Sequence, residues 1–435
     1  MPRLISMQRQ KARFKDVSLL ACLIGLLGYL SGCGRNGSTV SADAAAADAP
    51  VVEVMHWLTS KPDAAALAQV RERVIAQGGI WQDSPIGGGE TGRAAAVSRI
   101  IGGQPPDVFQ FSIGSQLAEL AAQHLVVPVP LESPEASSAF PEIVRRASQF
   151  GGHAIAIPLD IRGENWMFYN VAVLQAVQLA VPHTWPELIE AARQLKAAGK
   201  IPIALGGQSW QERVLFNDVL LGIGGRDFYR RVYETLDPNA FSSQVMLDVF
   251  RTFAALRPFV DEASPGRRFS EATRMLVHGE AAFQFMGDWA KNQVLEAGLE
   301  LGRQVGCVLA PASEAAYVVM VDAFAFARTS RPHAREGQEL FARVALDPDV
   351  QVHLARNIGA IPARSDVSVE GFDICSAHAM EVMRDPNAQL MDPALNLPNG
   401  LSGAIDDAIS RFWNDPQLSA SQGADLLRQA VRTYR

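Results

Sequence analysis

The chain has 435 residues, 48% hydrophobic and 20% charged, a globular composition long enough for two domains with their own cores. Its formal charge is −7, and removal of residues 1–32 takes away Arg3, Arg9, Lys11, Arg13 and Lys15 against Asp16, leaving −11. An acidic chain without a basic cluster is poorly built to hold a polyphosphate, which excludes nucleic acid as a partner.

The first segment is basic and runs into VSLLACLIGLLGYL, residues 17–30, an apolar stretch too short for a membrane span. That is the pattern of a secretory signal. It ends on Leu30-Ser31-Gly32-Cys33, which resembles a bacterial lipobox and implies a signal peptide over 1–32 with Cys33 as the lipidated first residue. Residues 33–50 are small, polar and aperiodic, and read as a flexible tether. The expected product is exported to the periplasm or cell envelope and anchored to a membrane through Cys33.

Val51–Met55 reads as a buried strand, and DAAALAQVRERVIAQGG as a helix stopped by Gly78-Gly79. A Gly-rich excursion, GIWQDSPIGGGETG, leads to the helix RAAAVSRIIGG, a short strand in QPPDVFQFS and the helix SQLAELAAQH. Alternation of strand and helix predicts an α/β domain with a largely parallel sheet, whose ligands sit beyond the carboxyl ends of the strands. Residues 56–60 and 110–112 therefore point at one crevice. A second α/β stretch starts near HAIAIPLDIRGENWMFYNVAVLQ, the pattern is mostly helical from 237 to 300, and VGCVLAPAS and VVMVDAFAFA read as strands before helices from Arg331 onward. Cys22 leaves with the signal and Cys33 carries lipid, so Cys307 and Cys375 remain in an oxidising setting. There a disulfide between them is expected, the alternative being two buried free thiols.

Six motifs fall in one order: HWLTS, IIGGQPPDVFQF, IPLDIRGENWMFYN, IPIALGGQSWQ, GEAAFQFMGDWAK and IGAIPARSDV. In that order the chain resembles the extracellular sugar-binding proteins of ABC importers, closest to the glucose- and mannose-binding group, over nearly all of its mature length. The resemblance implies an α/β, two-lobed periplasmic binding protein fold of the type II-like kind, with the ligand in a cleft between lobes joined by hinge strands. One lobe is expected at 51–160 with 314–362 and the other at 161–313 with 363–435. Crossings are expected near Pro158–Ile161, Pro311–Asp322 and Ile361–Arg364. Few-residue crossings suit a hinge, because closure then changes a handful of backbone angles.

A sugar offers hydroxyls and patches of C–H, so its site needs flat aromatic rings and bidentate polar groups. In the resemblance Trp57 matches an aromatic sugar contact and Asp288 a sugar-binding carboxylate, though Trp57 also suits a core plug and Asp288 a helix N-cap. Trp210, after a Gly-Gly turn, is a second stacking candidate, with Gln208 and Gln211 beside it as weaker polar candidates. Asp160, Arg162 and Asn165 at the first crossing either fork onto hydroxyls or pair to stiffen the hinge. Gln110, Ser112, Asp322 and Asn357 are further polar candidates, while Asp107, Glu90 and Thr91 read better as local structure and His56 as a neighbour of the site rather than a ligand. Leu58 stands where relatives carry a second ring, and Phe324 and Phe326 where many carry a basic residue. Those departures point to a sugar, or an orientation, other than that of the glucose binders.

The expected partners are a sugar ligand and the membrane subunits of an ABC permease; no cofactor or metal is implied, and the chain is expected to act as a monomer. A sugar sensor or chemoreceptor partner shares every one of these features. A glycoside hydrolase built on Asp160, Asp288 or Asp322 is the enzymatic alternative, but no pair is marked by spacing, and Walker, HExxH and GxSxG motifs are absent from the sequence.

Overall fold

The computed structural model describes residues 49–131 and 138–434. The signal at 1–32, Cys33 and nearly all of the tether lie outside the described residues. Among the described residues no helix is long and apolar enough to cross a membrane.

The first sheet begins with three parallel strands, β1 (Val51–His56), β2 (Ile80–Pro85) and β3 (Val108–Ser112), joined by the helices Lys61–Ala76 and Gly89–Ile101. Ser60 caps the first helix by accepting from the Asp63 N–H, and Pro62 in its first turn sacrifices no helical hydrogen bond. Next come the short β4 (Val126–Val127), β5 (Gln149–Phe150) and β6 (His153–Ala154), then β7 (Ala156–Gly163) and β8 (Trp166–Asn170). The second sheet is completed by β9 (Ile201–Ile203), β10 (Ala281–Met286) and β11 (Val305–Leu309), in the order β11-β8-β10-β9. The chain then returns through β12 (Tyr317–Ala327), β13 (Ile361–Pro362) and β14 (Gln389–Met391).

The first sheet has the main order β13-β7-β12-β3-β1-β2 and is mixed rather than largely parallel. β12 runs antiparallel to both β3 and β7, because it enters from the second sheet, opposite to strands fed by the βαβ turns. Val52, Val54, Val108, Ile157, Phe324 and Phe326 pack under helices containing Leu67, Val70, Phe341 and Leu354. The second sheet is buried by the helices Ser209–Tyr233, Gln244–Leu256, Asn399–Asn414 and Ala420–Tyr434, through an aromatic core in which Phe250 meets Phe412 at 4.7 Å.

Two lobes follow from the two sheets, and the passages between them are short. Gly163 is the last residue of β7 in the first sheet and Trp166 the first of β8 in the second, so the change takes Glu164 and Asn165 alone. The return runs from Leu309 to Tyr317, and a third passage follows β14, which pairs with Tyr317–Val319 before Asp392. Asn165 ties the first two together: its amide donates to Ser313 Oγ (3.2 Å) and the Ala316 carbonyl (3.0 Å) and accepts from the Val318 N–H (2.9 Å). Gly163 is required there, since a Cβ would lie 2.1 Å from the Tyr317 ring. Arg213 ties in the third passage, at 2.8 Å from Asp392 and 3.4 Å from Glu164.

Candidate ligand-binding site

Along one face of the first sheet, apolar residues give way to polar ones toward a single end. β3 reads Val108, Gln110, Ser112 and β12 reads Phe326, Phe324, Asp322. Side chains alternate across a strand, so each series lies on one face, with its last member at the carboxyl end of the parallel strands. Asp322 sits opposite Ser112 and takes hydrogen bonds from Ser112 Oγ (3.4 Å) and Gln110 Nε2 (3.2 Å). Gln110 Oε1 accepts from the Trp57 N–H at 3.0 Å, which fixes the backbone just after β1.

β7 joins this face through an irregularity. Its pairing with β12 slips between Asp322 and Ala323: Ala323 faces Pro158, Asp322 faces Asp160, and Leu159 is the extra residue. A regular strand would put Leu159 opposite Asp322; the bulge substitutes a carboxylate. Arg162, two residues on, donates from Nε to Asp160 Oδ1 (3.2 Å) and stands 3.8 Å from Asp288 Oδ1. Asp288 comes from the turn after β10 in the second lobe, and its Oδ2 accepts from the Gly163 N–H at 3.0 Å. Asn292, just beyond, donates to Asp63 Oδ1 on the first lobe at 3.1 Å, linking the two sides.

All four charged groups of this cluster, Asp160, Arg162, Asp288 and Asp322, are buried. Burial pushes the Asp160 carboxyl up to about 8 and Asp288 up to about 6, with Arg162 pulling both the other way. Asp322 is also raised by burial, against Arg162, Arg93, Ser112 and Trp57, which favour its negative form. Burial works against the Arg162 charge, while its acidic neighbours Asp160, Asp288 and Asp322 favour it.

Trp57 is half-buried at the end of β1. One side of its ring lies on the Gly-rich start of the helix Gly89–Ile101: a Cβ at Gly92 would come within 2.8 Å of Cε3. The Arg93 guanidinium stands 5.9 Å from the ring centroid. The glycines of GGGETG thus make room for an indole. Trp210 is likewise half-buried and forms a cluster with Phe269 (6.0 Å) and Trp289 (6.2 Å) on the second lobe.

Other sequence candidates are engaged elsewhere. Asn165 spends its amide on the neighbouring passage. Gln211 is fully buried and donates to Gln208 Oε1 and the Arg267 carbonyl. Asn357 donates to the His353 carbonyl of its own helix at 2.8 Å. Asp107 is buried between the Glu53 N–H and Arg331, and His56 bonds Asp83 at 3.1 Å, both structural. Leu58 is 3% exposed in the first-lobe core, and Phe324 and Phe326 pack edge-on against Phe341. The departures at these three positions are core packing and carry no information about the ligand, which removes the basis for inferring an unusual sugar from them. Three residues the sequence did not single out enter the cluster: Asp63, Arg93 and Asn292. Asp63 stood in the signature of a helix start and Arg93 in an ordinary amphipathic helix, so neither carried a separate signal; Asn292 follows the GDWAK motif by one residue.

Cys307 on β11 and Cys375 in the helix Ile374–Val382 are disulfide-bonded, with Cα atoms 6.0 Å apart. Comparison with known proteins places this architecture. The family model for the bacterial extracellular solute-binding protein matches residues 81–351. A probable sugar-binding periplasmic protein of Brucella suis biovar 1 is 32% identical over 88% of this chain and 92% of its own length. Another so described, from Rhizobium meliloti, is 31% identical over 91% and 96%. Among solved structures, a chitin oligosaccharide binding protein superposes with a TM-score of 0.76 at 16% identity, over 89% of this chain and 99% of that one. The solute receptor AcbH, described as exclusive for β-D-galactopyranose, gives 0.74 at 15% identity over 88% and 99%. The chain belongs to the bacterial extracellular solute-binding protein family, and is a binding receptor of that kind rather than an enzyme.

Proposed function

We propose that the chain captures a sugar, a glucose-like monosaccharide or small oligosaccharide, and hands it to the permease of an ABC importer from a position anchored by Cys33. The observation that carries this reading is the end of the first sheet. A half-buried indole stands beside a dense set of buried acceptors and donors, facing a second lobe that is two residues of chain away. Rings for C–H faces and fixed polar groups for hydroxyls are what a sugar requires, and an analogue lacking a hydroxyl leaves those groups unpaired. The names of the relatives support the same class and a periplasmic location. In this reading the lobe built on the first sheet closes against the lobe built on the second, pivoting at Glu164–Asn165. Ligand drives closure only through its preference for the closed form.

A thermal-shift screen over D-glucose, D-mannose, D-galactose, maltose and chitobiose tests it, since a ligand at 100 times its Kd adds about 2.7 kcal/mol of stability. Trp57→Ala should weaken the best binder about thirtyfold, on the scale of a buried aromatic anchor worth ~2 kcal/mol, measured by calorimetry. Its unfolding midpoint should move little, because the ring is partly exposed. Trp210→Ala should weaken binding and also lower the midpoint, since that ring packs against Phe269 and Trp289. Unchanged affinity in Trp57→Ala defeats the stacking role.

A further inference from the structure

The bulge at Leu159 sets two buried carboxyls, Asp160 and Asp322, directly opposite each other on adjacent strands. Antiparallel neighbours in such register have Cα atoms about 5 Å apart, the charge of Asp322 bears on Asp160, and neighbouring carboxyls in a dry site do not both ionise readily. One of them keeps a proton, and the donors around them decide which. Asp322 receives Gln110 Nε2 and Ser112 Oγ, and the Trp57 indole and Arg93 add to the hold on its negative form. Asp160 receives Arg162 Nε on Oδ1, and its Oδ2, buried, has no hydrogen-bond partner among the described residues. Donors stabilise a carboxylate over its acid, so the charge settles on Asp322 and the proton on Asp160.

We propose that Asp160 works as a neutral carboxylic acid whose Oδ2–H donates a hydrogen bond to an oxygen of the bound sugar. This rests on the sugar-binding reading for the ligand and on the geometry alone for the proton. It assigns chemistry to one position of the ligand: the atom at Asp160 must be an acceptor, a hydroxyl, ring or glycosidic oxygen, and a protonated amine there finds no acceptor. The groups facing Asp160 agree. Asp322 from β12 and Asp288 from the second lobe oppose a second negative charge, while Arg162 on its own strand favours one. Further out, Asp63 and Arg93 come from the two first-lobe helices and Lys291 from the second lobe, acting on Arg162, Asp322 and Asp288 respectively. The helix Pro348–Asn357 presents the uncharged Gln351, which donates to the Pro158 carbonyl. Burial, the largest influence, takes the Asp160 carboxyl from an ordinary 3.8 to about 8.

The sign of the linkage is fixed by that direction. The folded chain holds a proton that the unfolded chain has lost above pH 3.8, so the contribution of Asp160 to stability is full below that pH and declines until about pH 8. The test begins without ligand. At pH 7 the infrared difference between wild type and Asp160→Asn should show the C=O band of a protonated carboxyl, and the pH 4–8 decline in melting temperature should be shallower in the variant. No such band in the difference, or parallel pH profiles, overturns the proposal. With the tightest binder of the sugar panel, wild-type affinity should fall tenfold for each pH unit above about 8, as the proton donor is lost, and Asp160→Asn should show no such fall. A flat wild-type profile to pH 9.5 also overturns it. If no sugar in the panel binds, the sugar reading fails, while the infrared and melting results still decide the state of Asp160.

Discussion

Replacing Arg213 with methionine should cost about 3–5 kcal/mol of folding stability, the scale for removing one partner from a buried ion pair. Arg213 is 3% exposed and stands 2.8 Å from Asp392 and 2.8 Å from Asp406, with Glu164 at 3.4 Å. Burial alone would raise the Asp392 carboxyl, but the Arg213 charge and the hydrogen bonds from Glu164 and Arg213 bring it below the ordinary value. Glu164 goes the other way: burial and the neighbouring Asp392 charge push its carboxyl well up, against the pull of Arg213. Without the guanidinium, the Asp392 carboxylate is left buried and uncompensated. Urea unfolding measures the loss.

The same cluster supplies its own control. Methionine fills much of the arginine volume, so lost packing is a small part of the expected cost. Arg213→Met combined with Asp392→Asn removes both charges and should recover a large share of the stability lost in the single variant. If the single variant unfolds within about 1 kcal/mol of wild type, the pair contributes nothing net and its role is positional. The position is telling either way. Glu164 lies in the first passage between lobes and Asp392 in the third, so Arg213 holds two of the three connections to one point of the second lobe.

How much of this was legible beforehand depends on the range of the interaction. β1 and its end at Trp57, the strand carrying Asp322 and the helix stopped by Gly78-Gly79 were set by local patterns of period two and of helical spacing, and by a glycine stop. Asp160 and Asp322 were named as candidates one by one, but their pairing was invisible. It depends on a one-residue slip between strands about 160 positions apart, and nothing in LDIRG marks Leu159 as the extra residue. Leu58 and Phe324 misled for a related reason. Their neighbours Trp57 and Asp322 face the site or its edge, while they themselves lie in the core. One strand end carries both environments, and an unaligned sequence does not show where the apolar face stops. Arg93 and Asn292 became visible only once the glycine platform and the opposing lobe were in place.

Loss of the Cys307–Cys375 bond should lower stability by about 4 kcal/mol, the chain-entropy scale for a cross-link spanning 68 residues. The bond joins β11, in the second sheet, to a helix that follows β13, at the edge of the first. It therefore ties a helix lying between two strands of the first sheet, β13 and β14, to the second sheet. Much of that fixing survives in the folded state without sulfur. Asp373 caps the helix by accepting from the Cys375 and Ser376 N–H groups, and Lys291 Nζ reaches Asp373 at 3.1 Å and Ser376 Oγ at 2.7 Å. The folded structure should then persist in Cys307→Ala/Cys375→Ala, and the loss should come from a freer unfolded chain. Urea unfolding with and without dithiothreitol separates the cases. Wild type should lose stability on reduction, and the double variant should already be at the lower value and unaffected by the reductant. A wild-type midpoint that ignores reductant would mean the bond adds nothing, and a double variant that fails to fold would mean the Lys291–Asp373 contacts cannot hold the helix alone.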